Sequence, residues 1–580
     1  MGTPLKDPDL VSVQEVRSKV EEAYAAWQKY RAFSQTQVDS IVENVAAAAR
    51  ANAARLAELA VEETGYGNAK DKLSKNLLAA DVLPRAMRGL KTVGILREIP
   101  ERKIVEIGVP MGVVAAILPT TNPTSTAIYK TLISLKAGNA IVISPHPRAK
   151  VCSCETAAVL EQAALRAGAP QGLVQCIDNS TLEATNALMK HPLTGVILST
   201  GGGGIVRAAY SSGKPAFGVG PGNVPVLLEK SANVEEAVSK VVEGKSFDFG
   251  TVCSSEQTIV AEQSLRERIL AALKARKAFL CDARQADALA KILLTAHFTV
   301  NPDCVGQAPA KIARMAGFDV PADTSILVAE IGGIGKQHPL SAEKLSPVLS
   351  LYFVADFAAA LDACEAILRF GGLGHTSVIH SSDDARIREF ALRMPSFRVL
   401  VNTPAPQGSV GITTGVFPAM TLGCGAMAGN ITGDNISPLH LINIKRLAYV
   451  TRQAEDAFET PTPARGPAGI DRGAVIAAVE RYLAKRGFEQ ARPMTAEVVD
   501  RFLAARRGAS VAAPATETPT PPQAPAIEIS DFVCEDDVRR AIQQSKKIFI
   551  GPKTIVTPSA RDLASRSDTL VMTERRLRPT

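Results

Sequence analysis

Apolar residues recur at spacings of three and four over residues 11–87. LVSVQEVRSKVEEAYAAWQKYRAF is amphipathic, VDSIVENVAAAARANAARLAELAVEETG continues the rhythm, and Gly65 and Gly67 close it. Residues 88–110 alternate instead, which predicts a hairpin turning at Pro100 and Glu101. From about 111 to 222, short apolar runs alternate with helical stretches. VVAAILP, NAIVISP, LVQCID and TGVILST read as strands. Thr126 to Leu135 and KVCSCETAAVLEQAALRAG read as helices. Continuous apolar strands between helices imply a mostly parallel sheet covered on both faces, with ligands at the carboxyl ends of its strands. Residues 223 to about 415 repeat the style through PVLLE, TVCSSEQTIVAE, ILVAEIG, LYFVAD and TSVIHS, a second α/β domain. HLINIKRLAYV, at 440–450, predicts one more strand, and the compact body ends near 455.

The pattern then breaks. ETPTPARGPAG is a linker, AVIAAVERYLAKRGF and TAEVVDRFLAARRG are short helical stretches, and SVAAPATETPTPPQAPA is a second linker too rich in Pro, Ala and Thr to pack. The last 54 residues regain order as helix, strand, turn and a helix capped by Thr557 with Pro558 at its first position.

Composition narrows the function classes. The chain has 580 residues, 46% hydrophobic and 21% charged, the proportions of a globular protein. A net charge of +7 is weak for nucleic-acid binding, and 5% aromatics leave few stacking platforms. No apolar run approaches the length of a membrane span, and the N-terminus lacks a signal-peptide pattern, so a reducing compartment is expected. The nine cysteines are scattered and Cys152–Ser153–Cys154 is too tight for a CxxC site. No disulfide framework and no metal site are expected. Cys152 and Cys154 read as packed on a helix, and Glu62, Glu63 and Asp71 as a solvated face.

Three segments carry candidate chemistry. In SFDFGTVCSSEQTIVAE, Cys253 stands among small residues at a loop-to-strand junction, where a thiolate can reach a carbonyl carbon; a cysteine read alone is more often a buried structural one, and the other motifs reverse that balance. In ILPTTNPTSTAIYK, Asn122 lies between a strand and a helix, where its amide could hydrogen-bond an oxyanion or simply make a turn. Ser144 and His146 follow at the next strand end, where a ribose could lie. Ser199 to Gly204 in GVILSTGGGGIVRAAY form strand, glycine run and helix, a phosphate-binding order that fits neither GxGxxG nor a triphosphate loop, and that a flexible glycine loop would also give.

Together these segments resemble the aldehyde dehydrogenase superfamily, in its coenzyme A-acylating branch. The resemblance runs over about residues 10–455. It rests on the Cys253 motif, Asn122, the Ser-x-His-Pro segment, Thr200-Gly201-Gly202, Gly220 to Asn223, EKLSP from Glu343 to Pro347, GLGHTSVIH around His375, and the closing FPAMTLGCGAMAGNITGDNISPLHLINIKR. It implies an α/β fold of aldehyde dehydrogenase type. A Rossmann-like NAD-binding domain would span 1–222, with the 88–110 bridging hairpin inside it. A catalytic domain would span 223–415, and 416–455 would return to the first domain and supply an oligomerisation strand for a homodimer or homotetramer. Beyond would lie a linker (456–473), short amphipathic helices (474–508), a second linker (509–526) and a C-terminal docking module (527–580).

The resemblance also implies roles. Cys253 is the nucleophile, Asn122 an oxyanion donor, and His375 a base toward the coenzyme A thiol. Thr120, Ser144, His146, Ser199, Thr200, Gly201, Gly202, Gly220 and Glu343 bind NAD, with Glu343 at the nicotinamide ribose. Hydrolytic members carry a water-activating glutamate where this chain has Gly218-Val219-Gly220-Pro221-Gly222-Asn223. The missing carboxylate favours coenzyme A as acyl acceptor over release of free acid. Cys424 lies near the substrate-lining segment. The terminal pieces resemble the peptides that dock such enzymes to bacterial microcompartments. A bacterial cytoplasmic enzyme enclosed with a shell or core partner, acting on propionaldehyde or acetaldehyde, is therefore expected.

Overall fold

The computed structural model describes residues 7–295, 298–458, 471–486, 496–502, 529–544, 546–565, 567 and 569–572. The chain divides into two compact units, Met1–Gln453 and Ala454–Thr580.

Two parallel sheets organise the larger unit. The first has five strands in the order Val174–Cys176, Ala140–Ser144, Val113–Ile117, Thr194–Thr200, Ala216–Val219. Its central strands are buried along their whole length, as strands covered on both faces must be. The Pro123–Lys136 helix is likewise buried throughout and packs against Lys150–Arg166. Strand order reverses beside Val113–Ile117, the place where open α/β sheets form a crevice. Lys130 is wholly buried there, and its Nζ donates to the carbonyls of Ile117 (2.7 Å) and Leu198 (2.9 Å), tying together the carboxyl ends of the two strands that flank the reversal. The second sheet has seven parallel strands, in the order Phe279–Leu280, Leu327–Glu330, Val348–Val354, Glu256–Glu262, Val224–Leu228, Gly374–His380, Ser396–Val401.

A third sheet is antiparallel. The expected hairpin forms from Gly94–Ile99 and Ile104–Pro110 around Pro100–Arg102, and Ile442–Ala448 adds alongside. Glu106, buried between the strands, accepts from Arg97 Nε at 2.7 Å and Arg446 Nε at 3.1 Å. Ile95, Ile444 and Leu447 remain exposed on this arm.

In the smaller unit, Ile529–Val533, Ile548–Val556 and Leu570–Met572 form a parallel sheet in that order. The helices Glu535–Gln543 and Pro558–Ala564 pack together, and Val533, Val538 and Ala560 form the buried core. Thr557 caps the second helix ahead of Pro558, as its sequence predicts. Arg472–Ala484 is helical, as are residues 496–502. The linker expected at 509–526 lies outside the described residues.

Several expectations change. The strands Ala216–Val219, Phe279–Leu280 and Ser396–Val401 have weak signals, being short, glycine-broken or interrupted by Arg398, yet each completes a sheet. Cys154 pairs with Cys176 in a disulfide, against the expectation of a packed thiol. The helix bearing Cys154 packs on the strand that ends at Cys176, so residues 22 apart in sequence come to a Cα–Cα distance of 5.4 Å. Glu62 is exposed, but Glu63 and Asp71 are not merely solvated. The Glu63 carboxylate accepts from the N–H groups of Val151 (2.8 Å) and Cys152 (2.7 Å) at the start of Lys150–Arg166, where negative charge is favoured. Asp71 accepts from the Asp248 N–H at 2.7 Å.

Lys130→Met removes the donor shared by two strand ends while keeping the apolar stem. The expected loss is about 2–4 kcal/mol of unfolding free energy, measured as a lowered denaturant midpoint with an unchanged slope.

Candidate active site

Cys253 sits just before the Glu256–Glu262 strand, after the tight turn Phe247–Gly250. Asp248 and Phe249 in that turn have φ of 46° and 51°, in the left-handed region that non-glycine residues rarely adopt. The contacts of Asp248 account for its persistence. Its N–H donates to Asp71, Oδ1 accepts from the Asn68 N–H at 2.9 Å, and Oδ2 accepts from Thr251 Oγ1 (2.6 Å), Lys72 Nζ (3.1 Å) and Lys75 Nζ. Burial would push this carboxyl up, but Lys75 and Lys72 hold it below its usual range. Burial also lowers Lys75 to about 8, against the pull of Asp248.

A cavity of about 760 Å³ opens beside Cys253 and Asn122. Thr120, Ser144, His146, Thr200, Gly201, Gly202, Gly220 and Glu343 all line it. Ser199 does not. Its side chain is wholly buried, and its Oγ has no hydrogen-bond partner, because the strand's alternation turns it away from the opening. Ser144 Oγ is shared with Thr185 Oγ1 at 2.9 Å. Cys424 is buried, does not line the cavity, and donates to the Leu422 carbonyl at 3.5 Å.

His375 lies behind Cys253 rather than on the cavity wall. Its Nε2 is 3.3 Å from Cys253 Sγ, and its Nδ1 is 2.9 Å from Thr376 Oγ1. Arg398, buried, donates to Thr376 Oγ1 at 3.4 Å and to the carbonyls of Gly433 (2.9 Å) and Gly423 (2.5 Å). Burial, aided by the Arg398 charge, holds His375 well below the usual imidazole range. Burial pushes the Cys253 thiol up to about 12, with Glu343 and Cys424 adding to the effect and Arg398 opposing it. At neutral pH the pair is therefore a neutral thiol facing a neutral imidazole.

Glu343 accepts from the Gly222 N–H at 2.9 Å, and burial raises its carboxyl to about 8. Among the described residues it is the only carboxylate on the cavity wall. The Gly218–Asn223 stretch brings none. Gly222 passes so close that an added Cβ would meet the Cys253 carbonyl at 2.3 Å and the His375 ring at 3.0 Å. The amide of Asn223 is spent on the carbonyls of Ser341 (2.8 Å) and Ile367 (3.1 Å).

The donor set fits a dinucleotide. The Gly203–Tyr210 helix begins at Gly202 on the cavity wall without a side-chain cap, so its first N–H groups can face phosphate. Thr120, Ser144 and Glu343 offer polar groups for ribose within a largely apolar cleft.

Lys72, Lys75, Asp248, Thr376 and Arg398 escaped the sequence reading. Lys72, Lys75 and Asn76 fall on one face of a helix, a spacing that an exposed face would also show. Asp248, between two phenylalanines, was the sole local sign of a buried charge.

Comparison with known proteins agrees with this architecture. The aldehyde dehydrogenase family model matches residues 2–287. The bifunctional aldehyde-alcohol dehydrogenase AdhE of Escherichia coli K12 is 42% identical over 444 residues, covering 76% of this chain and 50% of AdhE, so the chain spans about half the length of that relative. An acetylating aldehyde dehydrogenase from Geobacillus thermoglucosidasius superposes with a TM-score of 0.76 at 48% identity, covering 77% of this chain and 99% of that one. A propionaldehyde dehydrogenase from the Clostridium phytofermentans fucose utilisation bacterial microcompartment gives 0.69 at 27% identity, covering 75% and 97%. With the Cys253 turn, the double parallel-sheet architecture and these matches in hand, the chain belongs to the aldehyde dehydrogenase family.

Proposed function

We propose that this chain oxidises a short-chain aldehyde, propionaldehyde or acetaldehyde, and transfers the acyl group to coenzyme A. The observation that carries this reading is the Cys253–His375 contact in a cavity whose Gly218–Asn223 wall holds no carboxylate. The similarity to an acetylating aldehyde dehydrogenase supports it.

Cys253 Sγ attacks the aldehyde carbon and passes its proton to His375 Nε2. In the tautomer with its proton on Nδ1, donated to Thr376 Oγ1, His375 keeps the Nε2 lone pair toward sulfur. The Asn122 amide and the Cys253 backbone N–H stabilise the alkoxide of the thiohemiacetal. Thr120, Ser144, His146, Thr200, Gly201, Gly202, Gly220 and Glu343 hold NAD, which supplies the hydride acceptor. A thioester then remains on Cys253. With no carboxylate in the Gly218–Asn223 wall to activate water, the acyl group stays until the coenzyme A thiol attacks. His375, having released the first proton to solvent, takes that thiol's proton, and Cys253 leaves as the thiolate and regains a proton from His375.

The antiparallel arm, with Ile95, Ile444 and Leu447 exposed, serves a homodimer or homotetramer. The unit after Gln453 docks the enzyme to a microcompartment shell or core protein, a reading supported by its forming a compact unit of its own and by the neighbour from such a compartment. Enclosure would retain a volatile, reactive aldehyde.

Purified protein given propionaldehyde and NAD is expected to sustain NADH formation only with coenzyme A, accumulating propionyl-CoA, and Cys253→Ala is expected to abolish it. Equal turnover without coenzyme A, with free acid as product, overturns the acylating reading.

A pH dependence follows from the neutral pair. A raised thiol pKa means that the thiolate fraction climbs about tenfold per pH unit across the neutral range. Alkylation of Cys253 in the cofactor-free enzyme should therefore keep accelerating with pH and not level off below about 12. Because His375 is held well below 6.5, this profile should show no break near that value.

A further inference from the structure

Asn122 occupies the N-cap position of the Pro123–Lys136 helix, where an asparagine side chain ordinarily accepts from the first helical N–H groups. It makes no such bond. Its Oδ1 instead accepts from Lys75 Nζ at 2.5 Å, and its Nδ2 gives one hydrogen to Thr121 Oγ1 at 3.0 Å. The second N–H of Nδ2 is then what the amide has left to present to the cavity that Asn122 lines. Lys75 is buried, and its three N–H groups have three acceptors: Asn122 Oδ1, Asp248 Oδ2 and Thr251 Oγ1. It does not line the cavity.

We propose that Lys75 is a positioning residue of the oxyanion site, which fixes the orientation of the Asn122 amide and strengthens its free N–H. An ammonium on the oxygen side bars the flipped rotamer, because that would set NH2 against NH3⁺. It also draws electron density from the amide, which makes the remaining N–H a better donor to a developing alkoxide. Asp248, shared with Lys72, keeps the ammonium of Lys75 in register with the turn that carries Cys253. This inference rests on the proposed role of Asn122 in thiohemiacetal formation.

The test is a double-mutant cycle on the first turnover, followed as the NADH burst from propionaldehyde and NAD without coenzyme A. Lys75→Met keeps the stem and leaves Asp248 with Lys72, Thr251 and the Asn68 N–H. The burst rate of Lys75→Met should fall by about 10- to 100-fold, with apparent aldehyde affinity little changed. The same substitution added to Asn122→Ala should cost no further rate. A full additional loss on the Asn122→Ala background, or a Lys75→Met burst at the wild-type rate, overturns the proposal. Lys75→Gln, whose amide can still donate to Asn122, guards against a folding defect. It should recover part of the rate lost in Lys75→Met, and a Lys75→Gln variant of wild-type melting temperature that is as slow as Lys75→Met also overturns it. A wild-type enzyme that gives no burst contradicts the proposed function itself, whereas a normal burst with additive losses contradicts only the role of Lys75.

Discussion

The carboxylate of Asp248 lies out of reach of solvent, held by the ammonium groups of Lys72 and Lys75. Burying a charge is costly unless it is paired and hydrogen-bonded, and here every stated contact of the carboxylate also ties down chain. Lys72 reaches on to the Thr121 carbonyl at 3.0 Å, Lys75 to Asn122, and Asp248 itself belongs to the turn before Cys253. One buried ion cluster therefore joins three segments distant in sequence: the Ala69–Leu77 helix, the loop carrying Asn122 and the loop carrying Cys253. The backbone around it is shaped to fit. A Cβ at Gly67 would overlap the Asp248 carboxylate, and one at Gly306 would press on the Gly67 amide at 2.9 Å.

Burial then sets the chemistry. The same desolvation raises the Cys253 thiol and lowers the His375 imidazole, so the resting site carries a neutral pair in place of a thiolate–imidazolium pair. In the proposed mechanism charge is created only when the thiol adds to a carbonyl, and the fixed N–H donors receive it. Arg398 opposes burial at Cys253 and reinforces it at His375. It favours a thiolate while disfavouring an imidazolium. Glu343 is the one carboxyl group on the cavity wall among the described residues, but it accepts from the Gly222 N–H and, raised to about 8, is largely protonated at neutral pH.

The parallel sheets, the hairpin and the closing strand were legible because each carries a long apolar or alternating run between turn residues. The short strands Ala216–Val219 and Ser396–Val401 were not, since they depend on sheet neighbours rather than on their own pattern. Cys253 and Asn122 could be picked out from their local contexts and Glu343 from the family resemblance, and the three converge on one cavity. Ser199 shares its motif yet points away, because a one-residue step along a strand reverses the face. Lys75, Asp248, Thr376 and Arg398 were invisible for a different reason. Most of their contacts span 22 to 177 positions of sequence, and only the folded chain brings those partners together. Glu63 likewise looked like a surface charge until the Lys150–Arg166 helix it caps was in place.

In the proposed cycle an acyl group waits on Cys253 for a thiol. Intact-protein mass spectrometry after mixing the enzyme with propionaldehyde and NAD, before and after adding coenzyme A, addresses this directly. The account predicts a propionyl adduct that maps to Cys253, persists without coenzyme A and disappears on its addition as propionyl-CoA forms. An adduct on another residue, or one lost to water as fast as to coenzyme A, would contradict it.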